Sequence, residues 1–152
     1  MRFIVIGITD NSQQYFTPEV LDIIRKGHCF SGGVRHHELV RHLLPEDHDW
    51  IDVTAPLSKV FDAYRRVNVT TSLTHEDQGA NVSTPLRMVE GLGGEAFEQN
   101  HVIIVFASGD PLFYGYATTL LREFPDVEMQ VFPTFNSLQL LAHRCLLPYQ
   151  DM

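Results

Sequence analysis

The sequence predicts an α/β protein with a mostly parallel five-stranded sheet and helices on both faces, and three observations carry that expectation. Apolar bursts rich in Val, Ile and Phe alternate along the chain with segments of helical spacing. Two bursts, FIVIGI at 3–8 and VIIVFA at 102–107, are apolar without interruption, as in strands covered on both faces of a parallel sheet. At 152 residues and 44% hydrophobic content, the chain suits one domain that buries its core without disulfides or metal. Strand and helix in strict alternation imply right-handed crossovers.

In chain order, the strands are expected at 3–8, 28–32 (HCFSG), 50–53 (WIDV), 102–107 and 127–132 (VEMQVF). Helical patterns fill 18–26, 34–44, 56–66, 113–124 and 136–147. The stretch from Val67 to Asn100 breaks this rhythm: it is polar at first, carries glycines late and is longer than a crossover needs. It reads as an insertion, a mobile loop followed by a helix that starts at Thr84-Pro85 and stops at Gly93-Gly94. The domain is expected over 1–147, with 148–152 opening a linker to a second domain.

Composition narrows the function. A formal net charge of −8 excludes the broad basic face that draws nucleic acid or anionic membrane, so neither is expected as a partner. No apolar stretch reaches the roughly 18 residues that span a bilayer, and the N-terminus reads as a strand rather than a signal peptide. The two cysteines, Cys29 and Cys145, sit among apolar residues and read as buried free thiols, which fits a cytoplasmic protein.

Ligands on such sheets bind beyond the carboxyl ends of the strands. After the first strand comes GITDNS at 7–12, which lacks the later glycines of a dinucleotide fingerprint and disfavours NAD. No P-loop glycine-lysine pair, Gly-x-Ser-x-Gly elbow, CxxC or HExxH occurs. After the second strand, Gly32-Gly33 allow a sharp turn into VRHHE. From Arg25 to Arg41 there are four Lys or Arg against one acid, Glu38, with several histidines. That local positive field suits a polycarboxylate or phosphate held by the Arg35 fork, or else is a solvated helix face. Adjacent His36 and His37 cannot share one face, so no metal site is expected. After the fourth strand, ASGDPLFYG places Gly109 for close approach of a ligand, Asp110 as a capping carboxylate and Pro111 at the start of the next helix.

Taken together, SGGVRHHEL, SGDPLFYG and VFPTFNSLQLLAHRCLLPYQD resemble the tetrapyrrole methylases of cobalamin biosynthesis, in particular the precorrin-6Y / cobalt-precorrin-7 (C5)-methyltransferase branch. The resemblance covers 1–66 and 102–152. It implies an S-adenosylmethionine-dependent C-methyltransferase with two α/β domains, a cofactor in the cleft between them, a precorrin-type macrocycle as substrate and a homodimer. Carried residue by residue, it implies cofactor contacts at Asp10, Ser108, Gly109, Asp110, Phe113, Asn136 and Ser137. It implies substrate contacts at Gly7, Gly32, Gly33, Arg35 and His36, with His36 the candidate general base. Two loops depart from the family pattern: Thr134 and Asn136 replace the glycine and first serine of Pro-Gly-x-Ser-Ser, and only Gly7 remains of Gly-x-Gly-Pro-Gly. Related folds methylate other tetrapyrroles, a modified histidine on a translation factor, or ribosomal RNA. A binding or assembly module built on the same domain is the alternative outside enzymes.

Overall fold

The computed structural model describes residues 1–67 and 102–150. Five parallel strands, β1 (Arg2–Ile8), β2 (Cys29–Gly32), β3 (Asp49–Asp52), β4 (Val102–Ser108) and β5 (Glu128–Phe132), form one sheet in the order β3-β2-β4-β1-β5. Helices α1 (Pro18–Lys26), α2 (Val34–Val40), α3 (57–67), α4 (Tyr116–Glu123) and α5 (Ser137–Cys145) join them. The α/β architecture is therefore the one expected.

The two apolar runs become β1 and β4, two of the three strands with neighbours on both sides. Alternation along β1 feeds two cores. Phe3 and Val5 face one side with Ile103 and Val105, under Val60, Phe61 and Tyr64 of α3 and Ala117 and Leu120 of α4. Ile4, Ile6 and Ile8 face the other with Ile104 and Phe106, under Val20 and Ile24 of α1 and Val40 of α2. Phe3 packs edge-on against Tyr64 at 5.4 Å between ring centroids and meets Phe124 at 5.3 Å. Such ring pairs add about 0.5–1.5 kcal/mol each to area burial.

The chain leaves β2 towards β3 and leaves β4 towards β5, so the crossovers diverge between the adjacent strands β2 and β4. That switch point opens a crevice at their carboxyl ends, where the candidate site lies.

Several expectations need correction. The helix expected at 34–44 ends at Val40 and tightens into a 3-10 turn, Arg41–Leu43. The helix expected from 113 starts at Tyr116, with Gly115 as its N-cap. The Pro111–Gly115 segment is instead a tight turn in which a Cβ on Gly115 would stand 2.4 Å from the Pro111 carbonyl oxygen. Asp110 caps that turn, not the helix: Oδ1 accepts from the Leu112 N–H at 3.0 Å. The final helix, expected to reach 147, ends at Cys145, where Leu146 turns into the left-handed region at φ 53°. Cys29 is a buried free thiol as expected, pushed up to about 11 by burial and then by the Asp49 charge. Cys145 is exposed, because it lies at the end of a helix whose one buried residue is Ala142. The insertion expected at 67–100 falls, apart from Val67, outside the described residues. Among the described residues, no helix is long and apolar enough to cross a membrane.

Candidate functional site

Three loops close on one another at the carboxyl edge. The Gly109 N–H donates to the Ile8 carbonyl at 2.9 Å, and the Thr134 N–H donates to the Gly109 carbonyl at 3.2 Å. A Cβ on Gly7 would stand 2.1 Å from that Gly109 oxygen, and one on Gly109 would stand 2.9 Å from Asn136 Cα. Gly109 also has φ +66°, which glycine adopts without strain. Both glycines are thus required by backbone packed on backbone. Asn136 and Gln139 cap α5 reciprocally: Asn136 Oδ1 accepts from the Gln139 N–H at 2.8 Å and Gln139 Oε1 accepts from the Asn136 N–H at 3.0 Å. The loop after β1 is held by Gln14, whose Oε1 accepts from the Thr9 N–H at 2.9 Å while its amide donates to the Thr9 carbonyl at 2.7 Å.

These loops wall a cavity of about 1090 Å³. Its lining includes the carboxylates Asp10 and Asp110, the apolar surfaces of Tyr15, Leu39, Phe135 and Leu140, and a single cation, Arg144. A second cavity of about 620 Å³ shares Ser12 and Leu39 with it and is lined by Arg35, Glu38 and His42. Arg35 Nε lies 3.5 Å from Asp10 Oδ1 between the two; both side chains are mostly exposed, so the pair stabilises little.

On the β2 side the loop is held by side chains. Ser31 is buried, and its hydroxyl donates to the Ile51 carbonyl at 2.7 Å, so the Tyr64 hydroxyl donates to Ser31 at 2.7 Å. Tyr116 in turn donates to Tyr64 at 3.2 Å. Burial raises both phenols above their ordinary range. Above this relay, His36 Nδ1 accepts from the Gly33 N–H at 3.1 Å, and its Nε2 meets Ser108 Oγ at 2.9 Å. Nδ1 must be bare to accept, so Nε2 carries the proton and donates to Ser108. Burial holds the His36 pKa below its ordinary 6.5 against the opposing pull of Asp10, with Arg35 adding to the depression. In this arrangement His36 has no free lone pair to serve as a general base.

His37 points elsewhere. Its ring stacks on Trp50 at 4.0 Å and 8°, and its Nε2 lies 3.3 Å from His48 Nε2. His48 Nδ1 donates to the Pro45 carbonyl at 2.6 Å, which leaves His48 Nε2 as the acceptor of the His37 proton. Among the described residues, no group of three or more His, Cys, Asp or Glu could hold a metal ion.

Of the residues singled out in the sequence, Asp10 and Asp110 line the large cavity and Arg35 the smaller one. Gly7, Gly109 and Asn136 build the loop weld beside it, and Ser108 meets His36. Gly32 and Gly33 stand around His36, with an added Cβ on Gly32 lying 3.2 Å from His36 Cβ. Phe113 and Ser137 are exposed and line neither cavity; the Phe113 ring packs on Tyr114 at 5.0 Å. Sequence reasoning missed Gln14 and Arg144, which carry no motif. The polar Thr9–Ser12 run after an apolar strand was the available signal for that wall.

A five-stranded parallel sheet with cavities at its carboxyl edge defines the class, an open α/β domain. The model of the tetrapyrrole (corrin/porphyrin) methylases matches residues 2–152, and the chain belongs to that family. It is 26% identical over 148 residues to precorrin-6Y C(5,15)-methyltransferase [decarboxylating] of Sinorhizobium sp, covering 97% of this chain and 28% of that protein. It is 28% identical over 96 residues to cobalt-precorrin-7 C(5)-methyltransferase of Salmonella typhimurium, covering 53% of this chain and 48% of that one. The chain thus spans about half the length, or less, of these curated relatives. Among solved structures, cobalamin biosynthesis precorrin-6Y methylase from Archaeoglobus fulgidus superposes with a TM-score of 0.57 at 20% identity, over 99% of this chain and 61% of that one. The methyltransferase CobJ gives 0.59 at 17%, over 97% and 52%.

Proposed function

We propose that the chain is the N-terminal domain of an S-adenosylmethionine-dependent C-methyltransferase that acts on C5 of a precorrin-type macrocycle, in the cytoplasm and as a homodimer. Residues 1–147 form that domain, in keeping with the share of its relatives' length that the chain spans. The observation that carries the reading is the pairing of two adjoining cavities, one with an excess of carboxylate and one that presents a guanidinium. The larger has two carboxylates and an apolar wall, which suits a sulfonium cation with a flat base; the smaller presents Arg35 and His42, which suit the carboxylates of a macrocycle rim. When bound, the cofactor supplies an activated methyl group. Asp10 and Asp110 would hold its cationic end, Phe135 and Leu140 would keep water from its apolar part, and the welded loops would fix its height over the sheet. Arg35 would orient the substrate, and displacement at carbon needs no nucleophilic side chain.

The test is calorimetric titration of S-adenosylmethionine, with methyl transfer to precorrin in parallel, on the full-length protein and its Asp110→Asn variant. Weaker cofactor binding in the variant at an unchanged melting temperature is expected, since asparagine caps a turn as well as aspartate does. No cofactor binding by the unaltered protein would overturn the reading.

A further inference from the structure

We propose that His36 is a positioning residue, a neutral clasp that fixes the loop after β2 against the loop after β4. The ladder between β2 and β4 pairs Cys29 with Ile103, Phe30 with Ile104 and Ser31 with Val105, and then ends. β4 continues to Ser108, while Gly32 keeps only the pairing to β3 that runs the length of β2, opposite Asp52. Beyond Val105 the two chains diverge at the place where the cavities open. The His36 imidazole spans that gap, accepting from the Gly33 N–H on one side and donating to Ser108 Oγ on the other. Ser108 is next to Gly109, which is welded to β1 and to the loop after β5. The α2 end that carries Arg35 is therefore registered against the carboxylate-lined cavity through one ring.

The clasp works in one protonation state. A proton on Nδ1 would set two donors, Nδ1–H and Gly33 N–H, face to face, and the Gly33 bond would be lost. The charged groups around the ring are Arg35 on its own helix and Asp10 from the loop after β1; β4 presents the Ser108 hydroxyl and the Phe106 carbonyl. A glutamine at 36 can keep the Gly33 bond through Oε1, as glutamine does at this helix position in a capping box, and it does not titrate.

The turnover readout of this inference rests on the methyltransferase reading; the tautomer readout does not. Nitrogen NMR of the protein should show His36 neutral with its proton on Nε2, and Ser108→Ala, which leaves the Gly33 bond and hence the tautomer in place, should speed exchange of the Nε2 proton with water. In turnover, His36→Gln should retain at least ten times the rate of His36→Ala and lose the part of the acid limb that His36 contributes. A proton on Nδ1 in the unaltered protein, an Nε2 proton whose exchange Ser108→Ala does not change, or His36→Gln as inactive as His36→Ala would overturn the clasp. An unaltered protein that transfers no methyl group overturns the methyltransferase reading instead, and the tautomer measurement still decides the clasp.

Discussion

The two sides of the candidate site are held in different ways. After β1, β4 and β5, backbone rests directly on backbone: Gly7 against the Gly109 carbonyl, Gly109 against Asn136, and Thr134 hydrogen-bonded to Gly109. After β2, side chains hold the loop, with Tyr64 beneath Ser31 and His36 reaching to Ser108. A backbone weld has no titratable part and no rotamer, so it is rigid and indifferent to pH. A loop held by hydroxyls and an imidazole can be released by one proton or one deleted atom. The larger cavity is built on the rigid side and the one that Arg35 lines on the adjustable side.

Substitutions that add one methyl group test the contrast most directly. Gly7→Ala would drive a Cβ to 2.1 Å from the Gly109 oxygen, a collision with main chain that no rotamer relieves. Overpacking of this kind costs roughly 3 kcal/mol, at the upper end of its usual range. Chemical denaturation should show that loss together with a weakened cofactor site. A change under about 1 kcal/mol would mean that the three loops can separate, and the contrast would fail.

Deleting one hydroxyl on the other side should do less. Tyr64→Phe removes the donor to buried Ser31 and the acceptor for Tyr116, at a cost of roughly 1–2 kcal/mol, whereas Tyr116→Phe removes only the end of the relay and should cost about half as much. Equal losses from the two variants would mean that the hydroxyls do not act in series.

The third effect is a pH dependence confined to the adjustable side. The folded-state pKa of His36 lies below its ordinary 6.5, so as pH falls past 6.5 the unfolded chain takes up a proton that the folded chain refuses. The His36 contribution to stability is therefore complete above that pH and is lost between 6.5 and the lowered folded value. Denaturation midpoints at pH 7.5 and 5.5 should differ more in the unaltered protein than in His36→Gln. His37, lowered by burial and then by His48, has the same sign and remains in both proteins. An equal pH response in the two would leave His36 out of the account.

How far the sequence revealed all this depended on the range of the signal. β1 and β4 were legible because continuous apolar runs report burial on both faces, and α1 because Pro18 and the helical spacing after it are local. The start of α4 was not, since a proline after an aspartate looks the same whether it opens a helix or a turn, and what decides is Gly115 lying against the Pro111 carbonyl. The candidate site was legible as a set of loops at the carboxyl edge but not as roles. Glycines 7, 32, 33 and 109 all read as ligand contacts, yet whether a glycine faces a ligand or another loop is a tertiary fact. Gln14 and Arg144 had no local signal, because the loop and cavity that they serve exist only once β1 and β5 are neighbours.

The smallest expected effect gives the sharpest test of that distinction. Gly33 has φ −69° and ψ 164°, extended backbone that any residue adopts, and the nearest atom to an added Cβ is His36 Nδ1 at 3.6 Å, an ordinary contact. Nothing in the fold requires glycine there. Alanine is a poorer N-cap than glycine, but it also narrows the unfolded ensemble, and the two effects oppose each other within about 1 kcal/mol. Gly33→Ala should therefore leave the denaturation midpoint almost unchanged, in contrast to the large loss from Gly7→Ala. The same protein then separates packing from ligand contact. If a substrate lies against Gly33, the added methyl group occupies its place, and macrocycle affinity falls while stability holds. If affinity is also unchanged, Gly33 is a loop residue without a ligand, and the substrate contact that the family resemblance implies for it falls. A large loss of stability would instead show that the β2 loop is packed as tightly as the weld, and the difference between the two sides would disappear.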